Sequence, residues 1–206
     1  MPITGRKPED CFKVFHEHIR RLFELTLPPP PPVRLTWARV RGATNAVLEF
    51  SKGDGVSTCL PVKSEYGDLY LSLFQALIVE PEGKRWRLET IEYRYRLLDE
   101  DNPRADAAIR WEYLRTPPHA YPRHHLQTRS RVELADGILV LPLSRLHTPS
   151  GWVTIEELIR FLIYDLGVRP RNDEWPAILN DSESKFYVDF TSKRHWPLSL
   201  LPGGRG

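Results

Sequence analysis

The feature that most constrains this chain is the run from Val33 to Leu143, where short extended segments alternate with glycine-bearing turns. Period-two or continuously apolar patterning marks Val33–Arg41, Ala46–Ser51, Ser57–Val62, Leu69–Glu80, Arg85–Leu98, Ala108–Arg115, His124–Leu134 and Ile138–Leu143. Successive side chains of a strand point to opposite faces, so this period predicts strands with one face buried. Turns containing Gly53-Asp54-Gly55, Tyr66-Gly67-Asp68, Glu82-Gly83-Lys84 and Asp136-Gly137 separate many of them. Gaps that short join antiparallel neighbours, whereas a parallel crossover needs about a dozen residues or more. Residues 33–143 therefore read as an antiparallel sheet. Leu69–Val79 is too uniformly apolar for a half-exposed strand, and reads as either a central strand or a short buried helix.

Helical patterns flank this region. Between Pro8 and Leu27, Phe12, Phe15, Ile19, Leu22, Phe23 and Leu25 fall near helical spacing, with Lys13, Glu17, Arg20, Arg21 and Glu24 between them. Pro28 to Pro32 end that helix, because proline has no amide hydrogen to continue it and favours polyproline II. The run reads as a stiff spacer or as a ligand for a proline-reading module. After the sheet, Thr154 is an N-cap ahead of Glu156 and Glu157, with Leu158, Phe161, Leu162 and Leu166 as the apolar stripe and Gly167 as the stop. A second helix starts near Glu174-Trp175-Pro176 and runs to about Phe190. The expected architecture is one α+β domain over residues 1–206. It comprises a helix at 8–27, a proline spacer at 28–32, the sheet at 33–143, a helical pair at 152–190 and a disordered tail at 202–206.

Composition excludes some function classes. The 206 residues are 41% hydrophobic and 27% charged, which suits a folded domain rather than a disordered chain. A net charge of +2 excludes a grossly basic nucleic-acid binder but leaves local patches open. Cys11 and Cys59 lie far apart in no metal-ligand spacing, as in a cytoplasmic chain with two incidental thiols. With no apolar stretch near the ~18 residues of a membrane span and no secretory core at the N-terminus, a soluble, unexported protein is expected. Nucleotide-binding glycine loops, the Gly-x-Ser-x-Gly elbow and paired Cys-x-x-Cys motifs are absent from the sequence, and no cofactor is expected.

Two segments bring charged groups together. In one, Ile91, Tyr93, Tyr95 and Leu97 share a strand face, opposite Glu92, Arg94 and Arg96. In the next, Ile109, Trp111 and Tyr113 lie opposite Arg110 and Glu112. Pairing them across the acidic loop Asp99 to Ala107 sets Arg94, Arg96, Arg110 and Glu112 on one polar face. That face reads as a solvated set of cross-strand ion pairs, or as an anion platform of phosphate-matching guanidiniums.

The loop that follows, Thr116 to Gln127, carries His119, Arg123, His124 and His125, with Pro117, Pro118 and Pro122 restricting its course. Histidine passes protons near neutral pH, and a neighbouring arginine stabilises developing negative charge. A metal-free ribonuclease needs a group to take the 2′-hydroxyl proton, a group to protonate the leaving oxygen, and a cation. By strand parity His124 goes with Leu126, Val132 and Leu134 towards the core. His125 goes with Gln127, Arg129 and Arg131, making it the better candidate for chemistry. A structural role for the histidines is the alternative. Adjacent His124 and His125 point to opposite sides of a strand and cannot readily share one ion, so no metal site is expected.

The succession Tyr93-Arg94-Tyr95-Arg96, an acidic loop, Arg110-Trp111-Glu112, Pro118-His119, His124-His125 and the helix opening Thr154-Ile155-Glu156-Glu157 resembles the TumE-like family, toxin partners of bacterial toxin–antitoxin pairs. The likeness spans roughly Tyr93 to Gly167. It departs where Trp111-Glu112 stands for Tyr-Asp, where Pro122-Arg123 lengthens the stretch before His124, and in the extensive N-terminal sheet. The resemblance implies a growth-inhibiting, nucleic-acid-directed protein with an antitoxin partner.

Two functional expectations follow. In the first, a metal-independent ribonuclease-like toxin uses His125 with His119 or His124 for proton transfer. Arg94, Arg96 and Arg110, with Glu112, Arg123 and Arg129, bind the RNA substrate. In the second, a non-catalytic subunit presents the same face to a protein or RNA partner. Co-planarity of the arginine face with His119 and His125 favours the first. Histidines turned into the core, with the N-terminal helix and proline spacer exposed as a docking arm, favour the second.

Overall fold

A computed structural model describes residues 3–28, 34–39, 44–52, 55–117, 122–129, 131–134, 139–142 and 148–190. The proline spacer beyond Pro28, the turns at Gly53-Asp54 and Asp136-Gly137 and the tail 202–206 lie outside the described residues.

The chain opens with β1 (Thr4–Gly5) and α1 (Pro8–Thr26) and continues through β2 (Arg34–Arg39), β3 (Asn45–Ser51), β4 (Leu60–Ser64), β5 (Gly67–Glu82) and β6 (Arg85–Leu98). Then come β7 (Ile109–Leu114), β8 (His124–Thr128), β9 (Arg131–Leu134), β10 (Leu139–Pro142), β11 (Thr148–Pro149), α2 (Ile155–Tyr164) and α3 (Trp175–Phe190). Among the described residues nine strands form one antiparallel sheet in the order β11-β8-β7-β6-β5-β3-β2, with β1 also paired to β6 and β4 to β5; β9 and β10 make a separate hairpin. The fold class is the expected α+β.

The sheet is organised by one long hairpin. The ambiguous apolar stretch is a strand, because β5 is interior and flanked by β3 and β4 on one side and β6 on the other. A strand with neighbours on both sides and a helical layer on one face tolerates apolar residues at most positions. Gly83 and Lys84 close the β5–β6 hairpin, and Gly83 takes the left-handed conformation (φ +61°) that two-residue hairpin turns require. Partway along, Ala76 pairs with Glu92 and Leu77 with Thr90, so Ile91 is an extra residue in β6. The bulge corrects the expected alternation: buried Thr90 takes the core-facing place assigned to Ile91, which is only partly buried. Gln75 Nε2 donates to Thr90 Oγ1 at 2.8 Å, giving the hydroxyl a partner in the core.

One face of the sheet is the core. Phe12, Phe15, Ile19, Leu22 and Phe23 of α1, and Ile155, Leu158, Ile159 and Leu162 of α2, are buried with Leu48, Phe50, Leu71, Leu73, Tyr93, Tyr95 and Leu97 of the sheet. Each such side chain contributes about 1.5–3 kcal/mol through removal from water. Thr154 caps α2 as expected, its Oγ1 accepting from Glu157 N at 3.1 Å while Glu157 Oε2 accepts from Thr154 N at 2.9 Å. At the end of α1, Arg171 N donates to Thr26 O, Arg171 Nη1 to Glu24 O and Asn172 Nδ2 to Leu25 O, so the loop before α3 satisfies carbonyls the helix leaves open.

Two expected strands differ in extent. Ser57 makes only an isolated bridge to Ser51, and β4 begins at Leu60. His124–Leu134 is not one strand: β8 ends at Thr128 and β9 pairs with β10 outside the main sheet. At the break the Arg129 amide donates to Ala108 O and its guanidinium pairs with Asp99, ending the β7 ladder. Parity carried from His124 or His125 past Thr128 therefore does not hold.

Candidate functional site

The antiparallel register decides which charged residues meet. Arg94 lies opposite Glu112, Arg96 opposite Arg110, Glu112 opposite His125, and Arg110 opposite Gln127. Because facing residues share a side, Arg94, Arg96, Arg110, Glu112 and His125 occupy one outer face across β6, β7 and β8. The expected grouping is present. Its chemistry differs from a bare cationic platform, because the guanidiniums already have partners.

Arg94 has 45% of its side chain exposed, and its Nε lies 2.9 Å from Glu92 Oε1. Its guanidinium carbon also sits 4.3 Å from the centre of the Phe74 ring, a cation–π contact across β5 and β6. Arg96 turns its fork inward: Nη1 donates to Pro103 O at 2.6 Å and Nη2 donates to Ala105 O. Both carbonyls belong to the β6–β7 loop, so Arg96 shapes that loop. Burial, then the Arg110 charge, lowers its basicity, though it stays a cation at any physiological pH. Arg110 Nε lies 3.5 Å from Glu112 Oε1.

Glu112 divides its oxygens. Oε1 faces Arg110 and Oε2 lies 2.9 Å from His125 Nε2. The other ring nitrogen, Nδ1, lies 3.2 Å from Pro122 O. His125 is thus held at both ends by acceptors and is only 7% exposed. A ring carrying both protons donates to both acceptors, while a neutral ring donates to one. His124 faces the core, its ring stacked on Tyr113 at 4.7 Å and edge-on to Trp152 at 5.3 Å. Strand parity placed both histidines on their observed sides.

The remaining expected residues are dispersed. Arg123 is exposed, and its carbonyl accepts from Leu114 N at 2.9 Å. Arg129 pairs with Asp99 at the surface, which raises the guanidinium and lowers the carboxyl through their hydrogen bond. His119 lies outside the described residues. Tyr93, Tyr95 and Tyr113 are buried, so the strand tyrosines serve the core rather than an open stacking surface. Tyr93 OH accepts from Val153 N at 2.9 Å, and burial pushes its ionisation well above the ordinary range.

Sequence reasoning missed several members of this face. Phe74 belongs to it because Leu73 and Gln75 point to the core, a placement readable only once β5 is known to be a strand. Further along, Arg115 pairs with Glu80 and Glu89, and Arg87 with Glu82 and Glu89. The outer face is therefore a lattice of matched charges around half-buried apolar side chains. Among the described residues no group of three or more His, Cys, Asp or Glu is placed to hold a metal ion, and no helix is long and apolar enough to cross a membrane. Comparison with protein-family models, curated proteins and solved structures yields no match to this chain.

Proposed function

We propose that the protein is a non-catalytic interaction subunit that uses the outer face of β5, β6 and β7 to bind a protein partner. The observation that carries this reading is His125, which is buried and held by Glu112 and the Pro122 carbonyl. To move a proton on a substrate it would have to leave one of those partners. A surface for phosphate gains from guanidiniums that are unneutralised, because affinity comes from replacing counterions. Here Arg94 and Arg110 stand beside Glu92 and Glu112. Arginine over an aromatic ring, ringed by paired charges, is the composition of a protein-binding hot spot. On the family resemblance, that partner is an antitoxin.

The ribonuclease reading keeps one supporting observation: His125, Arg94 and Arg110 do share a face. Induced expression of the wild type and of His125→Ala, with growth and total RNA followed in both, separates the two. Intact RNA in both cultures, with a protein that co-elutes with the wild type and not with Arg94→Glu, supports the interaction subunit. RNA fragmentation in the wild type that His125→Ala abolishes overturns it.

A further inference from the structure

The docking of α3 contains a polar device that the sheet face does not use. Trp175, Leu179 and Ser182 repeat at spacings of four and three along α3, and all three are buried. This is the apolar stripe of a docked helix, completed by a hydroxyl where packing alone would favour an aliphatic residue. Ser182 is 2% exposed. Its Oγ donates to Glu156 Oε1 of α2 and lies 2.8 Å from His18 Nε2 of α1. Each of the three helices thus contributes one member of a chain, with Ser182 in the middle.

We propose that His18, Ser182 and Glu156 form a proton-dependent latch that holds α3 against α1 and α2. The hydrogen-bond chain can run in either direction. With Glu156 ionised, His18 Nε2–H donates to Ser182 and Ser182 donates to the carboxylate. With Glu156 protonated, the carboxyl can donate to Ser182, which then donates to an unprotonated His18 Nε2. The hydroxyl carries the chain both ways because it is at once donor and acceptor.

Surrounding groups set the sign of the response. Glu156 is 5% exposed, and burial raises its carboxyl above the ordinary range; Glu183 of α3 adds to this, while Ser182 and Thr154 partly offset it. Arg160, on Glu156's own helix, is committed to Glu183 and Asn180. Glu157 is tied to the α2 cap, and Tyr95 lies near Glu156 from the sheet. His18 is the titratable group that α1 brings to the chain. A raised carboxyl favours the fold when protonated. Its contribution is complete below the ordinary carboxyl value of 4.5 and is lost as pH rises through the raised value, leaving a carboxylate in a dry seam. The carboxyl's contribution to the latch is therefore greatest while Glu156 is protonated and falls as it ionises.

Hydrogen exchange of the full chain at pH 5 and pH 8, corrected for intrinsic rates, tests this. Peptides from α3 are compared with peptides from β5 as the internal reference. The expected result is a several-fold fall in α3 protection at pH 8 relative to β5, and its disappearance in Glu156→Gln. Equal relative protection at the two pH values in the wild type overturns the latch, as does the same fall in Glu156→Gln. Should that variant fail to fold, Ser182→Ala removes the joining hydroxyl. Its α3 protection should drop more at pH 8 than at pH 5, and a profile identical to wild type overturns the proposal.

Discussion

Glu112 and His125 are register partners on adjacent strands, and Glu112 Oε2 lies 2.9 Å from His125 Nε2. The pair stands on the outer face of the sheet, yet the imidazole is nearly as inaccessible as a core residue. An exposed catalytic histidine at this position would be replaceable at a cost within about 1 kcal/mol. The observed pair reverses that expectation. His125→Ala leaves Glu112 without its imidazole donor and the Pro122 carbonyl without its partner, and should destabilise the fold by about 2–3 kcal/mol. Urea denaturation monitored by circular dichroism measures it; a loss below about 0.5 kcal/mol would show the pair to be incidental.

Arg96 is expected to behave as a structural residue too. Its two bonds to Pro103 O and Ala105 O hold the β6–β7 loop from below. Arg96→Ala should cost about 2 kcal/mol, since hydrogen bonds from a charged donor count for more than neutral ones. It should also speed tryptic cleavage after exposed Arg104 in the same loop. Unchanged cleavage would separate Arg96 from loop order.

Much of the fold is legible in the sequence because its signals are local. The two-residue turn at Gly83-Lys84, the capping box of Thr154 and Glu157, and the alternation in β6 and β7 depend on neighbours within a few positions. Parity also assigned His124 to the core and His125 to the polar side. It could not reveal that His125 is buried, because alternation specifies a face and not what lies over it. The capture of Arg96 by loop carbonyls and the meeting of His18 with Ser182, 164 residues apart, depend on tertiary placement. The bulge at Ile91 carries no glycine or proline to mark it.

Cys59 offers a pH-dependent check on the smaller core under the β6–β7 loop, where it packs with Leu98 and Ala105. Burial, reinforced by Asp101, pushes its thiol up to about 11 from 9.0. The neutral thiol is the form the fold favours. Its stabilising effect is complete below pH 9.0 and declines as pH rises towards about 11. Iodoacetamide at pH 8 should leave Cys59 unmodified in the native protein and modify it in denaturant, read by mass spectrometry. Rapid native labelling at pH 8 would show that the loop opens readily over it.

The end of α2 ties the helical layer to the sheet, and one glycine makes the join. Gly167 has φ +64°, and Val168 N donates back to Leu162 O at 3.0 Å in a closing motif that needs the left-handed residue. Beside it, Glu65 N donates to Leu166 O at 2.9 Å, bringing the β4–β5 turn against the helix end. A Cβ on Gly167 would overlap the outer part of the Glu65 side chain. Gly167→Ala therefore combines about 1 kcal/mol of backbone strain with a steric clash, for an expected loss of about 2 kcal/mol. Glu65→Ala removes the overlapping atoms while retaining the amide that reaches Leu166. In that background the cost of Gly167→Ala should fall to the strain alone, about 1 kcal/mol. The difference between the two costs is a coupling energy, read from a double-mutant cycle by urea denaturation. Strict additivity would mean that the β4–β5 turn swings clear of the helix end, and that the contact does not constrain either element.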